Sequence, residues 1–348
     1  MAPFAGYDMP ISYPTGAVEE HAITRRSVGL FDIDHMGQFE VSGIGADAYV
    51  AQMVSAKTSD MKAPMARYSL LLDERGLVLD DLFIYKLESS WWIVVNASNR
   101  EQDLAWFMAH KTPDVTIIDH SDATYMIAVQ GPNAIALLDK ISSSAVSALD
   151  RFTWGRIRID SIDILFGRTG YTGEDGGELF FPAEYAERLW NYLLEKGAEL
   201  GIETMPIGLA ARDSLRFEAG MPLHGHEISQ SINAIEAGFK WACDFEKDFI
   251  GKQALLDVVA AGPSRKLVGI EVTGGVPREG YEVAGSDGTI IGRCVAGMYC
   301  PTVKKYAANA FVEPAFSKVG TMLKVIIRGQ PKDALVVKRP LYVPAYRR

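Results

Sequence analysis

Residues 67–96 read as three apolar segments separated by two polar turns: RYSLLL, a DERG turn, LVLDDLFIYKL, an ESS turn and WWIVVNAS. Short segments rich in branched and aromatic residues, joined by so few residues, predict an antiparallel meander. The middle segment carries Asp80 and Asp81 inside its apolar run. An ionised carboxylate against apolar neighbours is costly unless it is paired or solvated. Successive strand residues face opposite sides, so Asp81 shares a face with Leu79 and Phe83, and Asp80 with Val78 and Leu82. The two carboxylates are therefore expected in different environments, and one of them is a candidate acid, base or cation stabiliser. A bulge or turn between two shorter strands accounts for the pair as well.

The rest of the chain divides by its periodicity. Residues 15–28 and 43–54 have helical patterns, the second with Ala46, Tyr49, Val50 and Met53 on one face. Ser98 and Glu101 have capping-box spacing at the start of another helix. TYMIAVQ (124–130) reads as a strand, and Gly131-Pro132 opens a helix after it. A helix over 182–196 shows Tyr185, Leu189 and Leu193 on one face, with Gly197 placed to end it. Residues 207–219 form a further helix closed by Gly220. From about residue 265 the chain becomes a run of short strands punctuated by Gly, Pro and Asp, which predicts an all-β barrel or sandwich. At 348 residues the chain suits two or three domains.

Charge and composition exclude several classes. The net charge of −9 argues against a nucleic-acid protein. Residues 301–348 nevertheless hold ten Lys/Arg against two acids, a basic module able to receive an acidic tail or partner. No apolar run is long enough to span a membrane, and the N-terminus shows no secretory signal. Three cysteines without a CxxC pair suit a reducing cytoplasm.

Two further stretches can carry chemistry. GRTGYTGEDGGE (167–178) sits between strand-like segments, and its glycines let backbone approach a ligand closely. It fits neither GxxxxGK[ST] nor GxGxxG, and its acids would repel a phosphate. A neutral or cationic polar ligand suits it better: Glu178 can accept paired hydrogen bonds from an amidine-like edge, and Tyr171 can stack or donate. In IGLAARDSLRFEAGMPLHGHE (207–227), Arg212 and Arg216 lie one helical turn apart. They can bind a ligand carboxylate or form salt bridges with Asp213 or Glu218. FDIDHM and HGHE hold metal-capable side chains, but neither supplies a full ligand set, so no metal is expected.

Taken together, these stretches resemble the aminomethyltransferase (T-protein) family of the glycine cleavage system. The resemblance runs collinearly through FAGYDMPISYPTG, VGLFDIDHMGQFEVSG, ARYSLLLDERGLVLDDLFIY, IAVQGPNA, RTGYTGEDGGE, GLAARDSLRFEAGMPLHGHE, KDFIGKQAL and KRPLYVPAY. It implies an α+β, three-lobed cloverleaf around a central folate channel. Two α/β lobes with ferredoxin-like elements would comprise residues 1–39 with 124–235, and 40–123. Residues 236–348 would form an antiparallel β-barrel or sandwich. The implied reaction moves a one-carbon unit from the aminomethyl-lipoyl arm of H-protein to tetrahydrofolate, giving 5,10-methylenetetrahydrofolate and ammonia. By the same resemblance Asp81 is the catalytic residue, stabilising developing cationic charge. Glu178 pairs with the pterin edge beside Tyr171, and Arg212 serves a ligand polar group. Tyr68, Asn96 and Tyr346 complete the folate set. The basic last third would meet a polyglutamate tail or the acidic carrier.

The chain departs from the family pattern at several places. Relatives carry a short segment before FAGYDMP, so either a start further upstream or a trimmed first lobe is expected. Asp34 stands where serine is usual, Arg75 breaks a glycine pair, Gly177 replaces a larger residue, and Cys300 replaces serine. Asp34 and Gly177 keep open a sister reading, a folate-dependent demethylase of an O-, N- or S-methylated small molecule. A folate-binding iron–sulfur repair protein is a further alternative. It would carry a KGC-type motif, where this chain reads KDFIGKQAL without cysteine.

Overall fold

The computed structural model describes residues 1–347. The meander forms as the apolar pattern predicts. Strands Ala66–Leu72, Val78–Lys86 and Ser90–Val95 pair antiparallel, and Gly37–Ser42 and Thr116–Asp119 extend them into a five-stranded sheet. Helices Ala46–Met53 and Arg100–Ala109 cover one face: Tyr49, Val50, Met53 and Phe107 pack on Phe39, Leu82, Ile84, Trp91 and Ile93.

A six-stranded sheet runs in the order Trp154–Ile159, Ile162–Gly167, Gly176–Pro182, Thr124–Gln130, Val28–Asp32 and Thr204–Pro206. Its outer face buries Leu137, Leu138, Leu189 and Leu193 from helices Ala134–Ile141 and Ala186–Glu199. Its inner face meets the meander sheet through Phe31, Met126, Ala128 and Phe180 on one side and Tyr85, Trp92 and Val94 on the other. The chain crosses from one sheet to the other between Asp32 and Gly37, a few residues before the division expected at residue 39.

The C-terminal strands close into a six-stranded antiparallel barrel: Lys266–Val272 pairs with both Lys305–Val312 and Gln330–Val337. Alternate residues fill it, among them Val268, Ile270, Ala308, Ala310, Leu323 and Val325.

Three local expectations change. Helix Arg100–Ala109 follows a short 3₁₀ turn at Ala97–Asn99, and no side chain caps it, so the Ser98/Glu101 spacing is not a capping box. Pro132 precedes the N-cap Asn133 instead of entering the helix. Gly197 lies inside helix Ala186–Glu199 rather than ending it: a Cβ there would come within 2.3 Å of the Thr204 hydroxyl, so the glycine serves close helix–strand packing.

Candidate active site

A cavity of about 340 Å³ opens where the two sheets and the segment leading to the barrel converge. Asp81 and Asn96 enter from the meander sheet; Gln130 and Glu178 enter from the other. Tyr171 comes from the glycine-rich loop, Arg212 from helix Leu209–Glu218, and Phe239 and Trp241 from the segment before the barrel. Of the residues singled out by sequence, Tyr68, Asp81, Asn96, Tyr171, Glu178 and Arg212 all line this one space. Tyr346 is not among the lining residues. Its hydroxyl instead donates to the Gly173 carbonyl at 2.7 Å, so it touches the glycine-rich loop from outside the cavity.

Asp81 follows from strand geometry. It pairs with Leu70 and shares the cavity face with Phe83, as alternation predicts. The separation of Asp80 from Asp81 is incomplete, however. Asn96 lies just past strand Ser90–Val95, and its Nδ2 donates to Asp80 at 2.9 Å and to Asp81 at 2.8 Å. One amide thus joins carboxylates that leave opposite faces of the strand. Burial, then the Asp80 charge, pushes the Asp81 carboxyl up to about 7. The buried Tyr68 hydroxyl makes no hydrogen bond, though Asp81 is near enough to raise it further above the burial effect. An orphaned donor beside a carboxylate is what a polar ligand would complete.

Glu178 sits opposite, in strand Gly176–Pro182. Its Oε2 accepts from the Tyr85 hydroxyl at 3.0 Å and from the Thr169 hydroxyl. Burial raises its carboxyl despite those two hydrogen bonds and the nearby Arg212. The other loop acids do not face a ligand. Glu174 pairs with Arg25 at 2.9 Å, and Asp175 with Arg168 at 2.7 Å and Arg151 at 3.1 Å. The loop glycines are required by space: a Cβ on Gly170 would fall 2.1 Å from Gln130, and one on Gly177 2.1 Å from the Phe166 ring. Phe166 thus fills the room that a larger residue at 177 would take. Tyr171 spends its hydroxyl on the Pro222 carbonyl, so it offers the cavity its ring and no donor.

The two arginines part ways. Arg216 is almost wholly buried and bonds Glu227 at 2.8 Å and Asp213 at 2.7 Å. Glu227 in turn accepts from Asn309 of the barrel. Arg216 is therefore structural. Replacing it with leucine leaves the Glu227 charge buried without its cation and should cost about 3–5 kcal/mol in urea unfolding. Arg212 has no hydrogen bond or ion pair among the described residues; its guanidinium lies 5.1 Å from the Tyr171 ring centre. Burial lowers its affinity for its proton, so it is a cation poised for an acceptor. Arg212 and Tyr171 also wall a second cavity of about 300 Å³, lined by Phe4, Ile11, Leu209 and Leu223.

Sequence reading missed Tyr85, Gln130, Phe152, Phe239 and Trp241. Gln130 fixes the loop by donating to the Thr169 carbonyl at 3.0 Å and accepting from Thr172 at 2.8 Å; its only signal was a polar end to an apolar strand. Trp241 is 69% exposed yet stacks on Tyr68 at 5.6 Å. Phe152 holds φ at +61° and stacks on Phe83 at 6.1 Å. Nothing in their neighbouring residues marks either. Among the described residues, no group of three or more His, Cys, Asp or Glu is arranged to hold a metal. No helix among them is long and apolar enough to cross a membrane.

Comparison with known proteins gives this geometry its context. The GCVT N-terminal domain family matches residues 1–247, and the glycine cleavage T-protein C-terminal barrel domain family matches residues 265–342. An aminomethyltransferase of Symbiobacterium thermophilum is 42% identical, covering all of this chain and 95% of the relative. One from Herpetosiphon aurantiacus is also 42% identical, covering all of this chain and 96% of its own. The crystal structure of the glycine cleavage system aminomethyltransferase T from Bartonella henselae superposes with a TM-score of 0.91 at 32% identity, over 99% of this chain and 94% of that one.

Proposed function

The chain belongs to the glycine cleavage T-protein family, and from that premise we propose the part each cavity residue plays in an aminomethyltransferase that uses tetrahydrofolate as acceptor. The observation that carries the reading is the convergence of Asp81 and Glu178 on one cavity. Their surroundings differ. Asp81 accepts from the Asn96 side-chain amide and feels the repulsion of a second carboxylate, whereas Glu178 accepts from two hydroxyls.

Glu178 receives the 2-amino/N3 edge of the pterin, whose two parallel N–H groups match a carboxylate. Tyr171 supplies a flat face beside it. Arg212 takes a carbonyl or carboxylate of the ligand, replacing the solvation its burial removes. Asp81 acts where charge changes. As the carbon–sulfur bond of the donor breaks, positive charge develops on the aminomethyl fragment, and a fixed carboxylate stabilises it. Asn96 orients that carboxylate, and the Tyr68 hydroxyl beside it is left to donate to the folate. Tyr346 acts at one remove, bracing the glycine-rich loop at Gly173. The lobes 1–39 with 124–235, 40–123 and 236–348 are part of the same proposal, with the folate held between the first two.

The donor in this reading is the aminomethylated lipoyl arm of the glycine cleavage H-protein, and the basic C-terminal third is the face that would meet an acidic carrier. The test supplies the purified protein with tetrahydrofolate and aminomethylated H-protein. Methylenetetrahydrofolate and ammonia should form in equal amounts, with the KM for the carrier rising with salt. Transfer only from a methylated small molecule would overturn the choice of donor.

A further inference from the structure

Strand Val78–Lys86 carries a second polar side chain on the face that holds Asp81. Tyr85 follows four residues later, about 13 Å along the strand. It has no exposed surface and stands outside the cavity lining. Its ring crosses from the meander sheet to the six-stranded one. There its hydroxyl donates to Glu178 Oε2 at 3.0 Å and lies 2.8 Å from the Thr169 hydroxyl, which donates to the same oxygen. No described residue donates to Glu178 Oε1, so that oxygen is left for a ligand.

The sequence makes room for this crossing. Gly167 stands directly opposite Glu178 on the neighbouring strand Ile162–Gly167. A Cβ there would come within 2.8 Å of the Tyr85 ring and 3.0 Å of its hydroxyl. The slot that a cross-strand side chain would fill beside Glu178 is therefore taken by Tyr85 from the other sheet. On the opposite flank, strand Thr124–Gln130 places Ala128 next to Glu178 and adds no polar side chain. Helix Leu209–Glu218 brings Arg212 close enough to attract the carboxylate without a hydrogen bond. The Tyr85 and Thr169 hydroxyls are thus the groups that decide how the Glu178 carboxylate is turned.

We propose that Tyr85 is a positioning residue for the acceptor site: its hydroxyl holds Glu178 Oε2 from across the two sheets and so presents Oε1 to the ligand. The inference rests on the role given to Glu178 above. One strand thereby governs both acids, since it carries Asp81 itself and grips Glu178 through Tyr85. A ligand seated on Glu178 is then placed against Asp81 by the fixed spacing of residues 81 and 85 along that strand. The hydroxyl also favours the charged form of Glu178 against the effect of burial. It keeps an acceptor available for the N–H groups of the ligand.

The test uses Tyr85→Phe, which removes the hydroxyl but keeps the ring contacts with Phe83 at 5.7 Å and Phe180 at 5.6 Å. Isotope-edited NMR of the side-chain carboxyls in the ligand-free protein gives the first readout, with the Glu178 signal identified by its absence from Glu178→Gln. Glu178 should titrate at higher pH in Tyr85→Phe than in the native protein, because its anion has lost a donor. Titration calorimetry at neutral pH should show tetrahydrofolate bound about two- to tenfold more weakly, the worth of one hydrogen bond. The kcat at saturating folate should change little, a split that general loosening of the cavity would not produce. A Glu178 titration that does not move, an affinity that stays native, or a kcat that falls as far as the affinity would each overturn the proposal. Failure of the native protein to bind tetrahydrofolate would instead refute the assigned function, and the ligand-free titration would still decide whether Tyr85 holds Glu178.

Discussion

Replacing Asp81 by asparagine should lower turnover about 10²–10³-fold, the usual effect of losing one preorganised charge at a transition state, while tetrahydrofolate still binds within a few-fold of normal. The substitution keeps the shape of the side chain and an oxygen for Asn96, so the cavity wall survives. What disappears is the charge that meets the developing cation. The pH dependence follows from the raised carboxyl. Native turnover should climb as Asp81 ionises, with a midpoint at about 7, and the variant's residual turnover should lack that limb. Stability moves the other way. A carboxyl whose folded value exceeds its unfolded one binds its proton more tightly in the native state, so stability is full below about pH 4 and lost as pH rises through about 7. Asp81→Asn removes that loss and should unfold later at pH 8, by ~1–3 kcal/mol. Calorimetry at pH 5 and pH 8 checks the sign. A variant that is less active because it is less stable at pH 8 would contradict the assignment.

That pairing of cost and use explains how much of the site was legible in the sequence. Alternation in VLDDLFIYK told which face Asp81 takes, because a strand's period is fixed by covalent geometry. The barrel was legible for the same reason, through closely spaced turns and alternating apolar residues. Neither signal could show that Asn96, fifteen residues on, reaches both carboxylates, since that depends on where the neighbouring strand ends. The loop acids are a similar case. GEDGGE presents three carboxylates with equal standing, and only long-range partners sort them: Arg25 and Arg168 take Glu174 and Asp175, leaving Glu178 for the cavity. Arg212 and Arg216 share a helical spacing, yet Glu227 claims only the second. Periodicity fixes the direction a side chain takes. Partners distant in sequence decide what it does there.

Glu178 supplies the second large effect. Glu178→Gln keeps an oxygen for the Tyr85 and Thr169 hydroxyls, so neither buried group is orphaned. It cannot accept two N–H groups at once, because one of its two terminal atoms has become a donor facing the donors of the pterin edge. Losing one charge-assisted hydrogen bond and creating that conflict should weaken tetrahydrofolate binding by about 1.5–3 kcal/mol, roughly ten- to hundredfold. The kcat at saturating folate should change little, since the contact is made equally in ground and transition states. Titration calorimetry with the reduced folate measures the first quantity, and steady-state rates the second. The combination distinguishes the two acids: Asp81→Asn spares binding and loses kcat, whereas Glu178→Gln loses binding and spares kcat. A Glu178→Gln protein with normal folate affinity would remove the pterin edge from this pocket. Glu178 would then be a buried acid that only ties the glycine-rich loop to Tyr85.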